Sequence, residues 1–240
     1  MTGPGAAEAK HAVRERIWTV LEREGAAPPG VHGHIPDFVG ADDAARRLAA
    51  LDAWRRADVV KANPDRAQLP VRVRALRDGK LVFMAVPRLA TPKPFYRLDP
   101  AVLPEPFEET VTGSGAASAA PTVGVDELPP IDLVVCGSVA VNHHGVRVGK
   151  GAGYSDIEVA LLIDAGLITS ATTIVTTVHP LQVVDDDLPE APHDFSVDWI
   201  VTSDAAIQCQ RHCRPSGITR TLVDEGTAQA IPALRPYLRP

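Results

Sequence analysis

Gly145-Val146-Arg147-Val148-Gly149-Lys150-Gly151-Ala152-Gly153-Tyr154-Ser155-Asp156 lies between an apolar run, Ile131–Cys136 (IDLVVC), and a segment of helical pattern, Ile157–Ala165 (IEVALLIDA). In an open α/β sheet a strand–turn–helix junction of this kind sits where ligands bind, outside the carboxyl ends of the strands. One glycine is explained by the turn alone. Glycines at alternate positions, 149, 151 and 153, also let backbone N–H groups approach an anion without obstruction by Cβ atoms. The start of the following helix adds partial positive charge. Arg147 contributes a fork of donors and Lys150 a point charge. The segment therefore reads as a phosphate-binding loop, although its spacing is neither that of the Walker loop nor that of the dinucleotide fingerprint.

Working outward, residues 8–24 carry Val13, Ile17, Val20 and Leu21 at helical spacing and stop at Gly25. The Pro- and Gly-rich residues 26–40 read as a loop, and Asp42–Trp54 as a second helix with Leu48, Leu51 and Trp54 on one face. Ala57–Ala62 (ADVVKA) ends at Asn63-Pro64 and reads as a buried strand. Leu69–Arg77 fits a helix, and Lys80–Val86, Ala171–Val178 and Val197–Thr202 fit further strands. Ser114–Pro121 (SGAASAAP) has loop composition, which makes the 109–122 stretch the expected flexible connection. Continuously apolar strands alternating with helices predict a parallel or mostly parallel sheet covered on both faces. At 240 residues one core suffices, so residues 1–240 are expected to form a single α/β domain.

Composition narrows the function classes. Hydrophobic residues make up 45% and charged residues 22%, and the formal net charge of -6 comes without a basic run, which makes nucleic acid an unexpected partner. No apolar stretch is long enough for a membrane span, and the N-terminus lacks the apolar core of a signal peptide. Three cysteines give no disulfide framework, so a cytoplasmic location is the default expectation. Cys209, His212 and Cys213 lack a second ligand pair at zinc spacing, and no zinc is assigned. His143 and His144 read as solvent-facing and the run Asp185–Asp187 as a solvated turn. His179, at the end of a strand, is the better pocket candidate.

The glycine-rich segment resembles the G-x-R-L-G-x-G-x-G-Y-Y-D-R signature of the 5-formyltetrahydrofolate cyclo-ligase family, matching at Gly145, Arg147, Gly149, Gly151, Gly153, Tyr154 and Asp156. The likeness continues in order through Lys10…Arg14, Gly79-Lys80…Val86-Pro87-Arg88 and His193-Asp194…Val197-Asp198. It is closer still to the divergent methenyltetrahydrofolate synthetase domain-containing branch, with Asn63-Pro64-Asp65 and Gly137-Ser138-Val139-Ala140-Val141 among the shared segments. The signature's second Tyr is Ser155 here and its Arg is Ile157. The acid that the family places after its second strand is represented only by Asp65.

The resemblance implies a Rossmann-like, doubly wound fold of the kind seen in sugar-phosphate isomerases and CoA transferases. It implies ATP and Mg²⁺ as cofactors and a reduced folate as substrate: 5-formyltetrahydrofolate closing to 5,10-methenyltetrahydrofolate through a phosphorylated formyl group. By the same resemblance, Arg147 and Lys150 are the catalytic cations. Lys10 and Arg14, one helical turn apart, join Arg147, Gly149, Lys150, Gly151 and Gly153 around the nucleotide phosphates. Tyr154 lines the ring pocket, and Asp156 and Asp194 hold Mg²⁺ as hard oxygen ligands. The alternative is a family member that binds nucleotide, or an RNA or protein partner, without turning over folate.

Overall fold

A computed structural model of the chain describes residues 4–210, 213–219, 223 and 225–238. His212 lies outside the described residues. The helices α1 (Pro4–Arg23), α2 (Ala41–Ala49), α3 (Asp52–Arg56), α4 (Leu69–Arg77), α5 (Phe107–Thr110), α6 (Gly113–Ala119), α7 (Tyr154–Asp164), α8 (Glu225–Ala230) and α9 (Arg235–Leu238) surround two sheets. The strands are β1 (Val59–Ala62), β2 (Leu81–Ala85), β3 (Phe95–Leu98), β4 (Thr122–Val123), β5 (Leu133–Cys136), β6 (Ala140–Asn142), β7 (Arg147–Val148), β8 (Thr173–Thr177), β9 (Val183–Val184), β10 (Trp199–Val201) and β11 (Ala206–Gln208).

Eight strands form the main sheet in the order β11-β10-β8-β5-β1-β2-β3-β4. The central five, β10 to β2, are parallel, and β11, β3 and β4 extend the edges antiparallel. From β1 the chain first adds β2 on one side and then crosses to β5 on the other. The carboxyl ends of β1 and β5 are thus the topological switch point of a doubly wound sheet. β6, β7 and β9 form a separate small sheet.

The strands read as continuous apolar runs because both faces are covered. On β5, Leu133 and Val135 belong to the core beneath α1, α2 and α4, whereas Val134 and Cys136 belong to the core beneath α7. On β1 the same period of two puts Val60 and Ala62 on the first face and Val59 on the second. Lys61 shares that second face, and its ammonium meets α7.

Two expected elements differ. The helix anticipated over 42–54 is broken: Leu51 is extended (ψ 146°), and α3 restarts at Asp52 with Trp54 turned inward, its indole N–H donating to Asp78 at 2.9 Å. The loop anticipated over 114–121 is the helix α6, opened by the Thr112 hydroxyl accepting from the Gly115 N–H at 2.9 Å. Alanine favours the helix. Gly115 is there for close packing, since a Cβ would lie 1.9 Å from the Glu109 carbonyl. The hairpin β6–β7 and the antiparallel edge strands, two to four residues each, fall below the length at which sequence periodicity is legible.

Candidate functional site

One cavity of about 870 Å³ opens at the switch point. Its floor is made by the segments that leave the central strands: Asn63, Pro64 and Asp65 after β1, Val86 to Leu89 after β2, and Gly137 after β5. Its roof is the Gly149–Gly153 loop with the first turns of α7, and one wall is α1. Lys10, Arg14, Arg147, Gly149, Lys150, Gly151, Gly153, Tyr154, Asp156 and Asp194, spread over most of the sequence, all line this cavity. The stretch 109–122 contributes nothing to its lining.

The glycines divide into two jobs. Gly145 (φ +84°) closes the β6–β7 hairpin, where a Cβ would stand 2.3 Å from the Val197 carbonyl; it packs the hairpin and stays out of the cavity. Gly151 (φ +103°) is pressed against Arg14, whose Cζ would lie 3.3 Å from a Cβ. The open backbone on the ligand side is therefore the short stretch 149–153, ahead of the N-terminus of the eleven-residue helix α7.

Around this loop the charges are already arranged. Arg14 donates through Nε to the Gly149 carbonyl at 2.7 Å, tying α1 to the loop. Burial pushes its pKa below the ordinary value, against the opposing fields of Asp194 and Asp156. Lys10 is buried in an ion pair with Asp194, whose Oδ2 also accepts from the Ala191 N–H at 2.6 Å. Arg147 is only 4% exposed. It donates to Asp156 at 3.0 Å and stacks 4.0 Å from the centroid of Phe195, and its Nε has no partner. Lys150 reaches Asp65 at 2.8 Å. Arg88, on a left-handed backbone (φ +58°) next to Leu89 (φ +53°), brings a further cation to the cavity lining. Consecutive non-glycine residues in this region are uncommon and concentrate at ligand sites.

Asp156 and Asp194 both act on Arg14, and among the described residues no group of three or more His, Cys, Asp or Glu side chains is placed to hold a metal. Each carboxylate is engaged by a cation, Asp156 by Arg147 and Asp194 by Lys10, and their oxygens are the donor type that Mg²⁺ accepts.

Several lining residues escaped the sequence reading. Glu158, one turn beyond Tyr154 on α7, is buried in the cavity wall and pairs with Lys61 at 2.7 Å. Lys61 also donates to the Asn63 side chain at 2.6 Å, and the Asn63 amide lies 3.4 Å from the Ser155 hydroxyl. Burial raises the Glu158 pKa, and Lys61 opposes the rise. A lysine in the middle of an apolar strand was the available signal. His34 and His193 also line the cavity. His179 does not: its Nδ1 accepts from the Leu181 N–H at 3.2 Å, capping a 3-10 turn, and its ring lies edge-on to Phe38. The pocket expectation for His179 is corrected accordingly. A strand's carboxyl end faces ligand only near the switch point, and β8 is one strand removed from it.

A doubly wound α/β chain with a glycine-lined, cation-rich cavity at its switch point has the layout of a ligand-binding α/β protein. Comparison with known proteins gives that class a family. The 5-formyltetrahydrofolate cyclo-ligase family profile matches residues 6–203, and the chain belongs to that family. The methenyltetrahydrofolate synthase domain-containing protein of Mus musculus is 38% identical over 235 residues, covering 94% of this chain and 62% of the relative. The protein of the same description from Bos taurus is 36% identical over 241 residues, covering 97% and 62%. The chain thus spans about three fifths of the length of these relatives. Among solved structures, Aquifex aeolicus 5,10-methenyltetrahydrofolate synthetase superposes with a TM-score of 0.53 at 19% identity, covering 85% of this chain and 93% of that one, which bears out the fold. Among the described residues no helix is long and apolar enough to cross a membrane.

Proposed function

We propose that the chain is an ATP- and Mg²⁺-dependent cyclo-ligase that closes 5-formyltetrahydrofolate to 5,10-methenyltetrahydrofolate. The observation that supports this reading most is convergence. Every residue that the family signature assigns to phosphate, metal or ring lines one cavity at the switch point of the sheet.

In this reaction the terminal phosphoryl group of ATP passes to the formyl oxygen and ADP is released. N10 then attacks the activated carbon and gives up its proton, the C–O bond breaks, and phosphate leaves. Catalysis of that kind rests on positioning and on neutralising phosphate charge. The amides of Gly149–Gly153 and the N-terminus of α7 form the cradle for the transferred group, with Lys150 beside it. Lys10 and Arg14 hold the rest of the polyphosphate from α1. Asp156 and Asp194 would hold Mg²⁺, which when bound would supply positive charge to offset that of the phosphates. Arg147, stacked on Phe195, fixes Asp156 in its orientation and sets its guanidinium beneath the loop. Tyr154 offers its ring to the heterocycle.

One observation favours a second reading, nucleotide binding without folate turnover: Asp65, the nearest counterpart of the family's ring-recognising acid, is held by Lys150. The two readings part in a single assay. Purified protein with ATP, Mg²⁺ and 5-formyltetrahydrofolate should generate the near-ultraviolet absorbance of the methenyl product, dependent on both ATP and Arg147. Absence of product alongside measurable ATP binding would leave the second reading standing.

A further inference from the structure

Packing alone does not account for the Lys61–Glu158 pair. Its side chains are 0% and 5% exposed. Burying two charges carries a desolvation cost that an apolar pair of equal volume avoids. Lys61 satisfies one carboxylate oxygen, Oε2, at 2.7 Å. The other, Glu158 Oε1, is buried without any hydrogen-bond partner, which is costly for a carboxylate oxygen. Yet Glu158 is part of the cavity wall. Tyr154 precedes it by four residues on α7 and shares its face, so an aromatic ring and an acceptor stand side by side. Lys61 holds the carboxylate, and the Asn63 side-chain oxygen accepts from Lys61 in turn.

We infer that Glu158 is the recognition acceptor for the N–H edge of an amino-substituted nitrogen heterocycle bound in the cavity, with Lys61 as its positioning residue. Such an edge presents an exocyclic amino N–H, for which the one unpartnered oxygen, Oε1, is the matching acceptor. The heterocycle is the reduced folate ring or the adenine of the nucleotide; both carry this chemistry. The inference rests on the cyclo-ligase reading only in taking that reaction's two substrates as the probes. It supplies an acid from α7 for the position at which Asp65 is engaged elsewhere.

The test is direct titration of 5-formyltetrahydrofolate and, separately, of ATP into the wild-type chain and into Glu158→Gln. In the variant Lys61 still requires an oxygen, so the amide NH₂ is turned to the cavity, donor against donor. Affinity for one of the two ligands should fall about 10- to 100-fold while the other is unchanged. The ligand that loses affinity identifies the heterocycle. Should Glu158→Gln fail to fold, the wild type answers alone: the 2-desamino analogue of the folate, or inosine triphosphate in place of ATP, should bind correspondingly more weakly. Unchanged affinity for both ligands in the variant, or no discrimination against either analogue by the wild type, overturns the inference and leaves the cyclo-ligase reading intact. If the wild type binds neither ligand, both fall together.

Discussion

Replacing Lys61 with methionine removes the ammonium and keeps the volume in the middle of β1. Glu158 is then left buried without its cation, and two lines of reasoning size the penalty. Breaking one side of a buried ion pair costs about 3–5 kcal/mol. Alternatively Glu158 takes up a proton on folding. From an ordinary value of 4.5, holding a carboxyl neutral at pH 7 costs about 3.4 kcal/mol, at about 1.36 kcal/mol per pH unit. Against a typical domain stability of about 5–15 kcal/mol this is severe but survivable. The sign with pH follows from burial, which raises the Glu158 pKa in the folded chain. A carboxyl so shifted binds its proton more tightly folded than unfolded, so its contribution favours folding at acid pH and is lost as pH rises. Because burial raises the Glu158 pKa even with Lys61 present, the Lys61→Met penalty should shrink from at most about 3.4 kcal/mol at pH 7 to at most about 1 kcal/mol at pH 5. Denaturant unfolding without divalent cations, at both pH values, measures it. Lys61→Met/Glu158→Leu, which removes both charges, should recover most of the loss at pH 7. A penalty below 1 kcal/mol at neutral pH, or one that does not change between pH 5 and 7, would refute the view of this pair as a buried charge couple.

Other expectations concern the loop and its cations. Arg14→Ala, which frees the Gly149 carbonyl, should weaken ATP binding about tenfold by calorimetry, at about 1.4 kcal/mol for one charge-assisted contact, with little change in thermal stability. Asp156→Asn should raise the Mg²⁺ concentration needed for half-maximal activity; an unchanged Mg²⁺ dependence would remove Asp156 from the metal's neighbourhood. Gly145→Ala, at φ +84° with the Val197 carbonyl in the way, should cost at least about 3 kcal/mol by thermal unfolding. Gly153→Ala, at φ +73° with open space around it, should cost only about 1–2 kcal/mol.

The elements that sequence could reveal are those with a long enough period. α4 has the bounds its pattern implied, and β1, β2, β5, β8 and β10 fall within the apolar runs. The glycine- and cation-lined side of the cavity was legible for a different reason: glycine, arginine and lysine at fixed spacing carry their chemistry with them. The side lined by Glu158 was not. Lys61 and Glu158 are 97 positions apart and meet only because Lys61 takes the α7 face of β1, a consequence of sheet register that no local pattern carries. Leu51 breaks a helix for the sake of Trp54's burial, and Gly115 serves helix packing where its composition suggested a loop. In each case tertiary contact outweighed local preference.

The contact between Lys10 and Asp194 joins residues 184 positions apart. A ribosome releases the first of these long before the second exists, and closing so distant a contact carries a large loop entropy. Until the strand-rich C-terminal third has emerged and docked, α1 has no acid to anchor its lysine, and the cavity lacks a wall. A ligand of this cavity would consequently bind only the finished molecule. It would act as a reporter of completed folding, stabilising the whole chain by mass action and passing over partly synthesised or partly unfolded forms.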